Sequence, residues 1–199
     1  MKKSLIAILS TCVLVLNFSQ INAGVVVLTA WEDGADICHN DPETGAEWFC
    51  GPFRVDYFGF TPDSYLGLAT HPITHEMYAV LRDTVGAFHL IRFDVDTYNA
   101  YNIGTLGELI TGLAFNATGD TLYGNTSDSA GGNSDSIFTI DIETAVATKI
   151  DDLPAPDGFG DTIAFNPNDG KLYHWGGYTT QSFNRLNLQT MTWENVGVP

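Results

Sequence analysis

Three stretches of this chain can be laid over one another, and no other feature restricts the fold as much. Gly67-Leu68-Ala69-Thr70-His71-Pro72 followed by Met77-Tyr78 matches Gly112-Leu113-Ala114-Phe115-Asn116-Ala117 followed by Leu122-Tyr123. Both match Thr162-Ile163-Ala164-Phe165-Asn166-Pro167 followed by Leu172-Tyr173. Each stretch is a short apolar run, a turn and a second short run. Asn, Asp, Gly and Pro in the turns accept tight-turn backbone angles and cap nearby amides, which predicts a β-hairpin in each unit.

The second half of each unit repeats as well. Phe93-Asp94-Val95-Asp96-Thr97 corresponds to Ile140-Asp141-Ile142-Glu143-Thr144 and to Leu186-Asn187-Leu188-Gln189-Thr190, and a further short run follows each turn. The first-strand glycine or threonine recurs after 45 and then 50 residues, and the Asp or Asn of the later turn after 47 and then 46. Four short strands in such a period, with no helical periodicity outside the N-terminus, predict an all-β array of four-stranded antiparallel blades. The Gly112-Leu-Ala-Phe115, Gly119-x-x-Leu-Tyr123 and Ile140-Asp-x-x-Thr144 patterns resemble the repeats of bacterial exported β-propellers. They are similar to quinoprotein-dehydrogenase-like propellers and to related families of unknown function, over about residues 64 to 197. The resemblance implies a fold and carries over no quinone-site residue.

Residues 64 to 199 divide into three blades at about 64–107, 108–157 and 158–199, and residues 24–63 read as a degenerate first blade. In that segment Val25–Trp31 and Phe53–Phe60 are expected as strands flanking a cysteine loop, with a turn at Asp41–Gly45. A ring of four blades would be compact. An incomplete ring would invite a partner chain or an oligomer.

Lys2 and Lys3, the apolar run from Leu5 to Leu16 and Ala23 before Gly24 read as an export leader over residues 1–23. That run is too short for a permanent membrane span. The expectation is therefore a periplasmic or secreted protein whose mature chain is not inserted in a membrane. Losing two of the 8 basic residues and none of the 24 acidic ones changes the formal charge from −16 to −18. Such a surface repels nucleic acid and anionic lipid, leaving cations, neutral sugars and proteins as partners. Cys38 and Cys50 remain, and an even pair in an exported chain predicts a disulfide.

Residue types that recur in every unit are expected to be structural. Asp94, Asp141 and Asn187 should cap turns, and His71 occupies the place of Asn116 and Asn166, so His71 and His75 read as turn residues rather than metal ligands. The loops that differ fall on one face, here called upper: 82–86, 124–136 and 175–182, with the connections 104–111 and 151–161. That face carries the candidate binding residues Asp128, Asp135, Asp157, Asp161, Trp175 and Tyr178. Asp157 and Asp161 are weak candidates for calcium, which takes oxygen ligands; otherwise no cofactor is expected. Trp175 offers an aromatic platform for a sugar or a protein, or else continues its strand into the blade packing. No nucleophile elbow and no carboxylate pair of glycosidase type is present. The expected function is thus a non-enzymatic exported binding module whose ligand is a protein or carbohydrate. The alternatives are a calcium-dependent hydrolase or lactonase-like propeller and a fragment of a longer structural propeller.

Overall fold

The computed structural model describes residues 59–93, 99–127, 132–154, 162–176 and 181–197 in full, and four N-terminal segments as strand backbone. Among the described residues, sixteen strands form four antiparallel sheets of four. The first sheet holds β1 (Cys12–Leu14), β2 (Val27–Trp31), β3 (Asp36–Asn40) and β4 (Glu47–Pro52), and the second β5 (Pro62–Thr70), β6 (Met77–Asp83), β7 (Phe88–Phe93) and β8 (Ala100–Thr105). The third holds β9 (Ile110–Phe115), β10 (Leu122–Thr126), β11 (Ser136–Ile140) and β12 (Ala147–Asp152). The fourth holds β13 (Thr162–Asn166), β14 (Lys171–Gly176), β15 (Ser182–Asn187) and β16 (Thr192–Asn195). Every sheet is a meander in chain order, and the described residues contain no helix. The three blades expected from the repeats are the second to fourth sheets.

The first sheet departs from the expected arrangement. The cysteines lie not in a loop but in two paired strands, β3 and β4, with Cys38 directly opposite Cys50. Residues 53–58, the greater part of the other expected strand, lie outside the described residues, as does the turn at 41–45. Directly opposed antiparallel positions bring Cα atoms within the range that a disulfide spans. Unreduced peptide mapping of the exported protein is expected to recover Cys38 and Cys50 as one linked peptide; two free thiols would contradict the pairing. The innermost strand of this sheet, β1, is drawn from the apolar segment read as leader and pairs Cys12 with Trp31.

The innermost strands stand side by side in the succession β1, β5, β9, β13. Sheets therefore stack face to face around a common axis, and the seams between the second, third and fourth sheets are hydrophobic clusters. Tyr78, Val80 and Leu90 of the second blade pack with Leu113, Phe115, Leu122 and Phe138 of the third. Ala114, Tyr123 and Ile137 of the third pack with Ile163, Leu172 and Leu186 of the fourth. Central strands with a blade on both sides are consequently buried on both faces: every described residue of β10 is buried, and all but one of β6.

The turns behave as the repeat comparison predicts. His71 Nδ1 accepts the amides of Ile73 and Thr74 at 3.2 and 3.1 Å, as Asn116 Oδ1 accepts that of Gly119 and Asn166 Oδ1 that of Asn168. Asp141 Oδ1 and Asn187 Oδ1 each accept two amides of the later turn. These amide donors hold the Asp141 carboxyl below the usual carboxylate range. Asp94 lies outside the described residues.

Candidate functional site

Three amino-acid positions in each blade build the surface that faces the following blade: the inner-strand alanine, the tyrosine opposite it and a third-strand apolar residue. In the second blade they are Ala69, Tyr78 and Leu90; in the third, Ala114, Tyr123 and Ile137; in the fourth, Ala164, Tyr173 and Phe183. The second and third sets are buried, and burial pushes the phenols of Tyr78 and Tyr123 above their ordinary pKa. On the fourth blade Ala164 is exposed and Tyr173 and Phe183 are only half-buried. Strict alternation along β14 and β15 shows the cause, since Leu172, His174, Asn184 and Leu186 are buried toward the third blade and the residues between them are not. The far face of the fourth blade has the composition of a seam, and among the described residues no other sheet packs on it.

Trp175 is on that face. It lies within β14, paired with Phe183 across β15, with ring centroids 5.8 Å apart. Trp175 thus continues its strand, and its side chain is half-buried on that sheet face. Below the aromatic pair runs a polar string. Arg185 donates to both oxygens of Glu194 at 2.8 Å and to the hydroxyl of Tyr173, which donates to Asp169 at 2.7 Å, and Lys171 stands 3.6 Å from Glu194. The Arg185 hydrogen bonds hold the Glu194 carboxyl below its ordinary range. Two cations and two carboxylates leave this face formally neutral on an acidic chain.

The upper face is braced chain to chain. The side chain of Asn133 donates to Glu108, Thr126 Oγ1 accepts the Ser136 amide, and the Asp135 carbonyl accepts the Leu153 amide at 2.7 Å. The 124–136 loop therefore meets both neighbouring connections on one side of the molecule. Asp135 is half-buried there in left-handed backbone, φ 48°, which Asp tolerates better than most residues. In the second blade Asp83 accepts from Val85, Ala87 and His89, and His89 stacks on Phe60 at 4.0 Å. The hydrogen bond from His89 lowers the Asp83 pKa. Asp128, Asp157, Asp161 and Tyr178 lie outside the described residues. Among those described, no three His, Cys, Asp or Glu side chains gather closely enough to hold a metal ion. No described helix is long and apolar enough to cross a membrane.

Sequence reasoning passed over a buried polar group at the seam of the third and fourth blades. Asn125, His174 and Asn184 are fully or nearly fully buried. The repeats contained the signal: His174 stands where other units have Ala79 and Gly124, and Asn184 where they have Ile91 and Phe138. His174 packs edge-on to Trp193, whose indole N–H donates to Asp151 of the third blade at 3.1 Å.

No family model matches the sequence, and no curated protein matches it. Solved structures do. A nidogen/laminin complex is similar over 86% of this chain and 61% of its own, at 15% identity and a TM-score of 0.60. A gluconolactonase from Xanthomonas campestris is similar over 81% of this chain and 55% of its own, at 16% identity and a TM-score of 0.60. TolB from Acinetobacter baumannii is similar over 86% of this chain and 38% of its own, at 13% identity and a TM-score of 0.53. The fold is that of a β-propeller. The expected all-β, blade-repeat architecture is what the protein has, and this propeller chain spans between 38 and 61% of the length of these three neighbours. Their varied names attach binding and enzymatic proteins alike to the fold, so activity has to be argued from the site.

Proposed function

We propose that this protein is an exported, non-catalytic β-propeller module that binds another protein through the far face of its fourth blade. One observation carries the reading: Ala164, Tyr173, Trp175 and Phe183 occupy seam positions, and the corresponding residues of the two preceding blades are buried by a neighbour. Half-exposed aromatic side chains on a rigid sheet are the usual anchors of protein interfaces, because they bury a large area at small cost in side-chain entropy. The lysine-led leader supports export, and the acidic surface disfavours nucleic acid and anionic lipid. Carbohydrate is the second ligand class for such aromatics, and a sheet face of seam composition favours protein.

The test compares photo-crosslinking side chains placed at Trp175 and at Val85, an exposed tip residue of the second blade. In the producing cell, a protein adduct is expected at 175 and not at 85. Equal labelling at both positions, or glycan-array binding with no protein adduct, would overturn the assignment.

A further inference from the structure

The propeller contains a feature that says what kind of neighbour the open face accepts. At one inner-strand position the second and third blades carry Gly67 and Gly112 and the fourth carries Thr162. A Cβ at Gly67 would lie 3.3 Å from the Gly112 carbonyl carbon, and one at Gly112 would lie 3.2 Å from the Ile163 amide nitrogen and 3.4 Å from the Thr162 Cα. The innermost strands approach so closely only because nothing projects between their backbones. Thr162 does project, on the same face as Trp175, its partner across β14, and it is exposed. A further blade could not stack on the fourth in the register that joins the second to the third.

Charge narrows the occupant. The chain carries 24 acidic against 8 basic residues, so two copies repel over most of their surfaces. The far face is an exception, because Lys171 and Arg185 balance Asp169 and Glu194 there. Such a face is self-complementary under a two-fold axis: cations can meet carboxylates of the other copy while the aromatic halves cover one another. Two-fold contacts of a surface with itself are the commonest way identical chains pair.

We propose that the far face of the fourth blade is a two-fold self-association surface, with Ala164, Trp175 and Phe183 of one copy buried against the same face of a second. This rests on the reading of that face as a docking surface and names its partner. The copies meet face to face and not as successive blades, because Thr162 blocks the close approach of inner strands.

Sedimentation equilibrium of the exported protein at micromolar concentration is expected to give twice the single-chain mass. Ala164→Arg places a charged side chain at the centre of the face from an exposed position, so the fold should persist, with dissociation at least tenfold stronger. Thr162→Cys treated with a short bis-maleimide should yield a covalent dimer linked through position 162 of both copies. A monomer at all concentrations overturns the proposal, and so does a dimer unaffected by Ala164→Arg or linked between different positions. Maleimide labelling of Thr162→Cys in such a monomer separates two failures. Rapid labelling means that the face is open and only the second copy is wrong. Protection means that the chain covers its own face, and the docking reading falls too.

Discussion

Truncating Leu113 to alanine should destabilise the protein by about 2–5 kcal/mol, the usual cost of deleting a large aliphatic side chain from a packed core. Leu113 is 3% exposed and belongs to the cluster that joins the second blade to the third. It lies over Gly67, where an added Cβ would be only 3.1 Å from its Cγ, so the backbone on the other side of the seam is already in contact and has little room to collapse into a cavity. Urea denaturation checks the value through the midpoint, and the slope reports whether the blades still unfold together. A loss below about 0.5 kcal/mol would show that the seam does not close on this residue.

Gly112→Ala, a substitution that normally favours folding by restricting the unfolded chain, should here cost about 1–3 kcal/mol. The new methyl group would lie 2.4 Å from Asn125 Oδ1 and 3.2 Å from the Ile163 amide nitrogen. Rotating the Asn125 side chain could relieve the first contact. The second is backbone and can be relieved only by parting two inner strands. Asn125→Gly in the same chain should therefore recover only part of the loss. Thr162→Ala, at the matching exposed position, against which no inner strand packs among the described residues, should change stability by less than about 0.5 kcal/mol. Equal effects at 112 and 162 in thermal unfolding would mean that the third and fourth blades are not as closely apposed as described.

The blades were legible because their signals are local. Asn116, Asp141 and Asn166 cap their own turns, and a turn between two short apolar runs is visible at a range of a few residues. The N-terminal sheet was read less well. Its pairing of Cys38 with Cys50 depends on register between strands that have no counterpart in the repeat, and Cys12–Leu14 has the composition of a leader whatever it pairs with. Trp175 was singled out as an aromatic recognition residue, but as part of a variable upper loop. Its placement on a half-buried sheet face depends on how the blades stack, a long-range property that composition does not encode. Asn125, His174 and Asn184 each break an apolar column of the repeat, but their burial depends on the seam between two blades, which no local pattern encodes. Asp128, Asp157, Asp161 and Tyr178 lie outside the described residues.

Thr162 also stands where the close stacking of inner strands changes character. Each inner strand presents a gap that the next must fill, and a glycine keeps the gap narrow enough for another strand to follow. A branched side chain at that position of the fourth blade leaves the earlier seams undisturbed, because Thr162 is exposed on the face turned away from the third blade. A further inner strand could pack on β13 at the spacing of the existing seams only with a small residue at 162, and at 175 one no larger than Val80 or Asn125, the side chains that fit inside those seams. The spacing between inner strands is thus a residue choice, one that could be reversed one substitution at a time.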